Sequence, residues 1–326
     1  MPLSRRQLLA LLAGSGFLGA WPARAAAAFP DKALRLIVAF APGTGSDALA
    51  RIAANGMSPL LGQPVVIDNR SGAGGALGTE LGARAPADGY TLTLVTTSTL
   101  LTTPALNPNV HYRADRDFAA VSGLARSPYV IVVADQPDAP HTLAELRARL
   151  ANGGGSFGSP GVGTITHLTS ELFLKRAGVK AVHVPYRGST AALSDVAGGQ
   201  LVFACDTLVA ALPLIRGKKL RALAVTSPER LDALPEVPTV AEALLPGFQV
   251  SAWWGIAAPA GTPAEVVQRL SAVVQQTLKT PEVKAQLAAQ LLEPMPLDAA
   301  AFAALIKAEL PGWTDFVRQT GIRIDS

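Results

Sequence analysis

The chain has 326 residues, 49% apolar and 16% charged, enough for two domains with sizeable cores and too apolar to stay disordered. Its formal charge of +4 belongs to its first residues: setting aside Arg5, Arg6 and Arg24, which all precede the first acid Asp31, takes 28 Lys and Arg to 25, against 24 Asp and Glu. No basic run or basic-aromatic stripe follows, which argues against a nucleic-acid partner, and the single Cys205 rules out a disulfide within the chain.

Taken in order, Ser4-Arg5-Arg6-Gln7-Leu8-Leu9 resembles a twin-arginine export motif. The apolar run 8–21 that follows is shorter than the ~20 residues needed to span a bilayer. Residues 23–25 and 25–27 both fit a small-x-small cleavage site. Removal of residues 1–27 is therefore expected. No cysteine stands nearby to carry a lipid, so the mature protein is expected to be soluble in the periplasm. Cys205 lies in an apolar run and reads as a small core residue.

Two strand-to-helix turns open the mature chain. The apolar run 34–40 leads into Ala41-Pro42-Gly43-Thr44-Gly45-Ser46-Asp47, and a helical pattern covers 48–57. The apolar run 64–68 leads into Asn69-Arg70-Ser71-Gly72-Ala73-Gly74-Gly75, before a helix over 76–84. Glycine lets such a turn bend sharply and approach a ligand. The helix start behind it presents free N–H groups and the positive end of the helix dipole. Two such turns together make an anion trap. A third strand, 90–95, ends in the hydroxyl-rich Thr96-Thr97-Ser98-Thr99. Strands alternating with helices imply parallel βαβ units, with ligands at the carboxyl ends of the strands.

Residues 104–117 read as a connection, and 119–124 and 129–133 as two strands, with the crossing into a second lobe at 127–130. A capping box, Thr142 with Glu145, starts a helix to 151. Strand 156–159 then leads to Pro160-Gly161-Val162-Gly163-Thr164 and a helix over 166–177. The plan repeats: strand 182–184, turn Pro185-Tyr186-Arg187-Gly188-Ser189, helix 190–197; strand 201–205, Asp206-Thr207, and a helix to 216; then strand 220–225. A proline-rich connection, 227–246, precedes a strand over 253–258. Thr262-Pro263-Ala264-Glu265 reads as a second capping box, and amphipathic helices over 281–292 and 298–319 close the chain. The fold class expected is α/β with two lobes, residues 29–128 plus 259–326 and residues 129–258, each aiming glycine turns at the gap between them. Such an arrangement closes on a small ligand by hinge motion.

These motifs resemble one family. The chain from about Phe29 is similar to the extracytoplasmic solute receptors of the tripartite tricarboxylate transporters, the Bug proteins. The resemblance rests on Ala41-Pro42-Gly43-x-x-x-Asp47-x-x-Ala50-Arg51, Asn69-Arg70-x-Gly72-Ala73-Gly74-Gly75 and Ala87-Asp88-Gly89-Tyr90-Thr91-Leu92. It continues through Gly158-Ser159-x-Gly161-x-Gly163-Thr164-x-x-His167-Leu168, Val184-Pro185-Tyr186-Arg187-Gly188 and Pro235-x-Val237-Pro238-Thr239. Thr44 departs from the pattern, which would put a second glycine after Gly43. The resemblance implies a two-lobe periplasmic-binding-protein fold of type II. It implies a receptor without catalysis or cofactor that captures a small carboxylate and docks, as a monomer, on a membrane permease. Carried over residue by residue, it assigns the first-lobe ligand loop to Phe40, Gly43, Thr44, Gly45, Ser46 and Asp47. It assigns hydroxyls to Thr97 and Ser98, and the second-lobe side to Ser159, Thr164, His167, Arg187, Gly188 and Asp206.

Several of these residues have a second reading. Arg187 can pair a distal ligand carboxylate or bridge the cleft rim. Asp206 can cap the following helix or accept from a ligand hydroxyl or amine. Asp47 suits the first turn of a helix with or without ligand contact. His167 can be a packing histidine, and Phe40 a cleft wall or ordinary core. Two other functions stay open. Gly43-Thr44-Gly45-Ser46-Asp47-Ala48 fits a dinucleotide-binding G-x-G-x-x-A, with Asp68 where a ribose-binding acid would lie. Gly154-Gly155-Ser156-Phe157-Gly158 is formally a nucleophile elbow, although Ser156 falls before a strand rather than at a turn. His111, His141, His167 and His183 are scattered without metal-ligand spacing.

Overall fold

In a computed structural model, described here for residues 29–320 apart from Arg187, ten strands among the described residues form one continuous sheet with helices on both faces. The export motif and cleavage sites lie outside the described residues. The first lobe begins with β1 (Leu34–Val38), α1 (Gly45–Leu61), β2 (Val65–Asn69), α2 (Ala76–Ala83) and β3 (Thr91–Thr96). β1 pairs in parallel with β2 on one side and β3 on the other. α1 forms because Leu49, Ala50, Ala53, Ala54, Met57 and Leu61 recur on one face, and all are buried against β1 and β3. Gly62, at φ +67° in the left-handed region, stops it.

β4 (Phe118–Ala134) is a single strand of 17 residues where the sequence suggests two. Its partners explain this. From Phe118 to Pro128 it runs antiparallel to β9 (Ser251–Pro259); from Tyr129 onward it runs antiparallel to β7 (Phe203–Thr207) and β8 (Leu220–Val225). Pro128, which reads as a strand breaker, stands at the handover between partners, where a missing N–H costs little. In the second lobe β5 (Ser156–Ser159) pairs in parallel with β6 (Val182–Pro185) and β7. Four helices cover that lobe's sheet: α3 (Leu143–Gly153), α4 (Ile165–Ala177), α5 (Ser189–Ala197) and α6 (Leu208–Arg216). β7 starts and ends two residues beyond the expected 201–205, so Asp206 and Thr207 belong to the strand.

β9 pairs with β3 and β4 along its length. Hydrogen bonding thus places this strand, which the sequence suggests returns to the first lobe, between β3 and the first part of β4. α7 (Ala264–Lys279), α8 (Pro281–Ala289), a two-residue β10 (Glu293–Pro294) on β4 and α9 (Ala299–Thr320) follow. The expected capping box at Thr262 does not form. The Thr262 hydroxyl donates to the Pro259 carbonyl at 2.8 Å, and α7 starts at Ala264 behind Pro263 with no side-chain cap. α9 packs Phe302 and Ile306 into a first-lobe cluster with Val95 and Leu101, then reaches Leu168 of α4 through Phe316 and Val317. Two strand crossings and one helix thus join the halves.

Candidate functional site

Three helices begin at the gap between the halves, each with a threonine at its N-cap. Thr44 accepts from the Asp47 N–H at 3.3 Å, Thr164 from the His167 N–H at 3.3 Å and Thr207 from the Ala210 N–H at 3.4 Å. A cap serves the third amide of its helix and leaves the first two. Among the described residues the amides of Gly45, Ser46, Ile165 and Thr166 have no protein acceptor. Ser46, Ile165 and Thr166 line a cavity of about 110 Å³. Phe40, Ser46, Thr97, Ser98, Trp253 and Trp254 line it from the first lobe, and Tyr129, Ile165, Thr166 and Thr207 from the second. Larger recesses exist, about 500 Å³ beside α9 and about 640 Å³ on the second lobe, the latter lined by the start of α3 at Thr142, Leu143 and Ala144, but among the described residues none of the glycine turns 43–47, 161–164 or 185–188 lines either of them.

Of the residues singled out from sequence, Phe40, Ser46, Thr97 and Ser98 are brought together on this cavity. Asp47, Ser159, Thr164, His167 and Asp206 instead make hydrogen bonds within the protein. Asp47 is buried, and its carboxylate accepts from the Gly43 N–H, Nε and Nη2 of Arg51 and Nδ2 of Asn69, at 2.9 to 3.0 Å. These bonds, Arg51's first, hold its pKa down at about 2. Asn69 also donates to the Phe40 carbonyl at 3.0 Å, so the second glycine turn holds the first. Gly43 gives its N–H to Asp47, and Gly45 opens α1 with its N–H free.

Across the gap, Ser159 is buried, exchanges hydrogen bonds with Gly161 and contacts Nε2 of His183 at 2.7 Å. Thr164 donates to the Gly161 carbonyl at 2.9 Å while capping α4. His167 accepts the Gly163 N–H on Nδ1 at 3.1 Å and stacks on His183, ring centroids 3.8 Å apart, with Phe157 behind both. His167 is thus buried, with its ring holding the Gly163 amide. Burial, followed by the neighbouring His167, lowers the His183 pKa to about 4. Asp206 is buried. Its Oδ1 accepts from the Ser189 hydroxyl at 2.9 Å and the Thr207 N–H at 2.7 Å, while Oδ2 has no partner; burial raises its pKa to about 6. Gly188 is the N-cap of α5. Arg187 lies outside the described residues.

The sequence reading missed Tyr129, Ile165, Thr166, Thr207, Trp253 and Trp254. Trp253-Trp254 was the available signal, two large aromatics inside a strand that returns to the gap. Trp254 Nε1 donates to the Ser46 hydroxyl at 2.9 Å, and the Trp253 N–H donates to the Thr97 hydroxyl at 3.0 Å.

The tripartite tricarboxylate transporter family receptor model matches residues 49–322. The chain belongs to this family. The protein BugT of Bordetella pertussis is 35% identical over 302 residues, 91% of each chain. The structure of MatC from Rhodopseudomonas palustris with bound malate superposes with a TM-score of 0.76 at 33% identity, covering 89% of this chain and all of that one. A second R. palustris structure, with adipate, gives 0.80 at 32% identity over 90% and 99% of the two chains.

The chain is therefore an α/β solute receptor with the periplasmic-binding-protein fold, in a family of receptors and not of enzymes. The dinucleotide and hydrolase readings fall with that result, and the geometry agrees. Asp68, needed for a ribose, is bound to Arg70 at 2.8 Å and Arg35 at 3.5 Å. Ser156 opens β5 and stands at no strand-to-helix turn. Among the described residues no helix is long and apolar enough to cross a membrane.

Proposed function

We propose that this receptor binds a small organic acid in the gap between its halves and delivers it to the membrane permease of a tripartite transporter. Support comes from relatives of the same family described with bound malate and with adipate. The observation that carries the reading is the set of free amides at Ser46, Ile165 and Thr166, residues that line one cavity from both halves, with the free amide of Gly45 next to Ser46. A carboxylate accepting such N–H groups gains ~1.5–3 kcal/mol from each, and a helix start adds ~0.3–1 kcal/mol. Two or three such bonds approach the ~8 kcal/mol of micromolar affinity, with no metal needed. In this reading Ser46, Thr97 and Ser98 add hydroxyl contacts, while Phe40 and Trp254 form apolar walls. Asp47, Ser159, Thr164 and His167 hold the turns that present the amides. The protein acts as an exported periplasmic monomer. Its lobes are residues 29–128 with 251–326, and residues 129–250, hinged where the strands cross.

Proline at the first helical position removes one N–H and keeps the helix. Thr44, at φ −78° and ψ 161°, already has the extended backbone that a following proline requires. Gly45→Pro is expected to fold with unchanged or slightly raised thermal stability and to bind malate or adipate about tenfold more weakly by calorimetry. Wild-type protein that binds no di-, tri- or monocarboxylate at millimolar concentration would end the carboxylate reading.

A further inference from the structure

The starts of α1 and α4, which line the cavity from the two halves, are built to one plan. In each, a glycine in the left-handed region, Gly43 at φ +82° and Gly163 at φ +77°, precedes a threonine N-cap. The threonine hydroxyl donates at 2.9 Å in both, Thr44 to the Ala41 carbonyl and Thr164 to the Gly161 carbonyl. The glycine N–H is held by a side chain from the first turn of the helix, Asp47 at 2.9 Å in one and Nδ1 of His167 at 3.1 Å in the other. That side chain is where the two differ. Asp47, with its pKa at about 2, stays an ionised acceptor far into acid. An imidazole nitrogen accepts only while it carries no proton.

His167 therefore holds Gly163 in its neutral form, with the ring proton on Nε2. A further proton has to go on Nδ1, where it opposes the Gly163 N–H and breaks the bond. The surroundings steer an incoming proton to this ring. His183 of β6 stacks on it, ring centroids 3.8 Å apart, and is kept neutral, because burial and then the neighbouring His167 put its pKa at about 4. Glu171, one turn further along α4, lies 3.7 Å from Nε2 of His167. Its carboxylate offsets the charge gained, so the imidazolium brings a bound anion little attraction in exchange for the lost bond. His183 and Glu171 are the ionisable groups that face the ring among the described residues; β5 packs Phe157 against it.

We propose that neutral His167 is the positioning residue of the second-lobe helix start, and that its protonation frees the Gly163 amide, loosens the turn that presents the Ile165 and Thr166 amides, and weakens the hold on the bound acid while the first-lobe turn stays intact. This deepens the carboxylate reading above and rests on it. Because ligand binding excludes the proton, affinity falls as pH falls through the range in which imidazoles titrate.

The test compares wild type with His167→Asn, whose neutral side-chain oxygen can accept from Gly163 at every pH. The probe is malate or adipate, whichever wild type binds more tightly, at pH ~7.5 and pH ~5.5. Protonation of the acid itself affects both proteins alike, so calorimetry is read as the ratio of Kd at the lower pH to Kd at the higher. That ratio should be about fivefold larger for wild type, the scale of one hydrogen bond. Equal ratios overturn the proposal, since a side chain that only packs would not make binding sensitive to protons. Nitrogen NMR of the histidine rings in wild type keeps the question decidable if the variant does not fold. Saturating ligand at the lower pH should return one ring from imidazolium to the neutral form, and a histidine spectrum that ligand leaves unchanged overturns the proposal. Wild type that binds neither acid at pH ~7.5 removes the carboxylate reading and this inference with it. Binding by wild type with equal ratios removes this inference alone.

Discussion

The carboxylate of Asp47 accepts four hydrogen bonds from within the protein and fixes where the first turn sits. Asp47→Asn keeps the size but loses acceptor capacity toward Arg51 and Gly43. Because Arg51 is half exposed and screened, the loss should be about 2 kcal/mol rather than the full worth of a buried pair, read as a lower urea midpoint at constant slope. The folded pKa, about 2, lies below the ordinary 3.8, so this stability is complete above pH ~4 and disappears as pH falls toward 2. Asp206 has the opposite sign. Its folded pKa of about 6 lies above 3.8, so between these values the native state holds a proton that the unfolded chain has released, and stability falls as pH rises. Asp206→Asn should therefore stabilise the ligand-free protein at pH 7, on the order of 2 kcal/mol, with the gain vanishing below pH ~4. Denaturation at pH 4 and pH 7 gives both numbers; a variant less stable at pH 7 would contradict the assignment. Both aspartates are visible in the sequence as acids beside helix starts. Which of their oxygens are filled depends on Arg51, Asn69 and Ser189, and no spacing rule brings Asn69 to Asp47.

At the scale of elements, the second glycine turn is held as tightly as the first. Gly75 has φ +92°, and a Cβ there would stand 2.8 Å from Thr99 Cγ2, in the hydroxyl-rich segment after β3. Gly75→Ala combines left-handed strain with a clash and should cost about 2–3 kcal/mol in thermal or urea unfolding. It should also weaken ligand binding, since Thr97 and Ser98 lie in that segment. Most helices and strands were legible, because turn glycines, threonine caps and apolar periodicity are local signals. The misreadings have local causes too. Residues 119–124 and 129–133 read as two strands, since nothing nearby tells that Pro128 falls at a change of partner within one. Thr262 and Glu265 have the spacing of a capping box, but Pro263 starts the helix one residue late and the Thr262 hydroxyl turns back to Pro259.

On the scale of the whole molecule, β4 and α9 have partners in both halves. Ligand held by amides from both sides should draw them together. X-ray scattering with saturating ligand is expected to give a smaller radius of gyration than the free protein; an unchanged radius despite calorimetric binding would mean a preclosed cleft. By itself the sequence determined the α/β class, the two lobes, the receptor family and the turns that carry the helix starts, because each is written in short, contiguous patterns. Only the tertiary structure decided that Asp47 and His167 are buried among internal partners and that Trp253 and Trp254 line the cavity. Those outcomes depend on contacts between segments up to 208 residues apart, as between Ser46 and Trp254, where burial and the supply of partners, not local propensity, set what a side chain does.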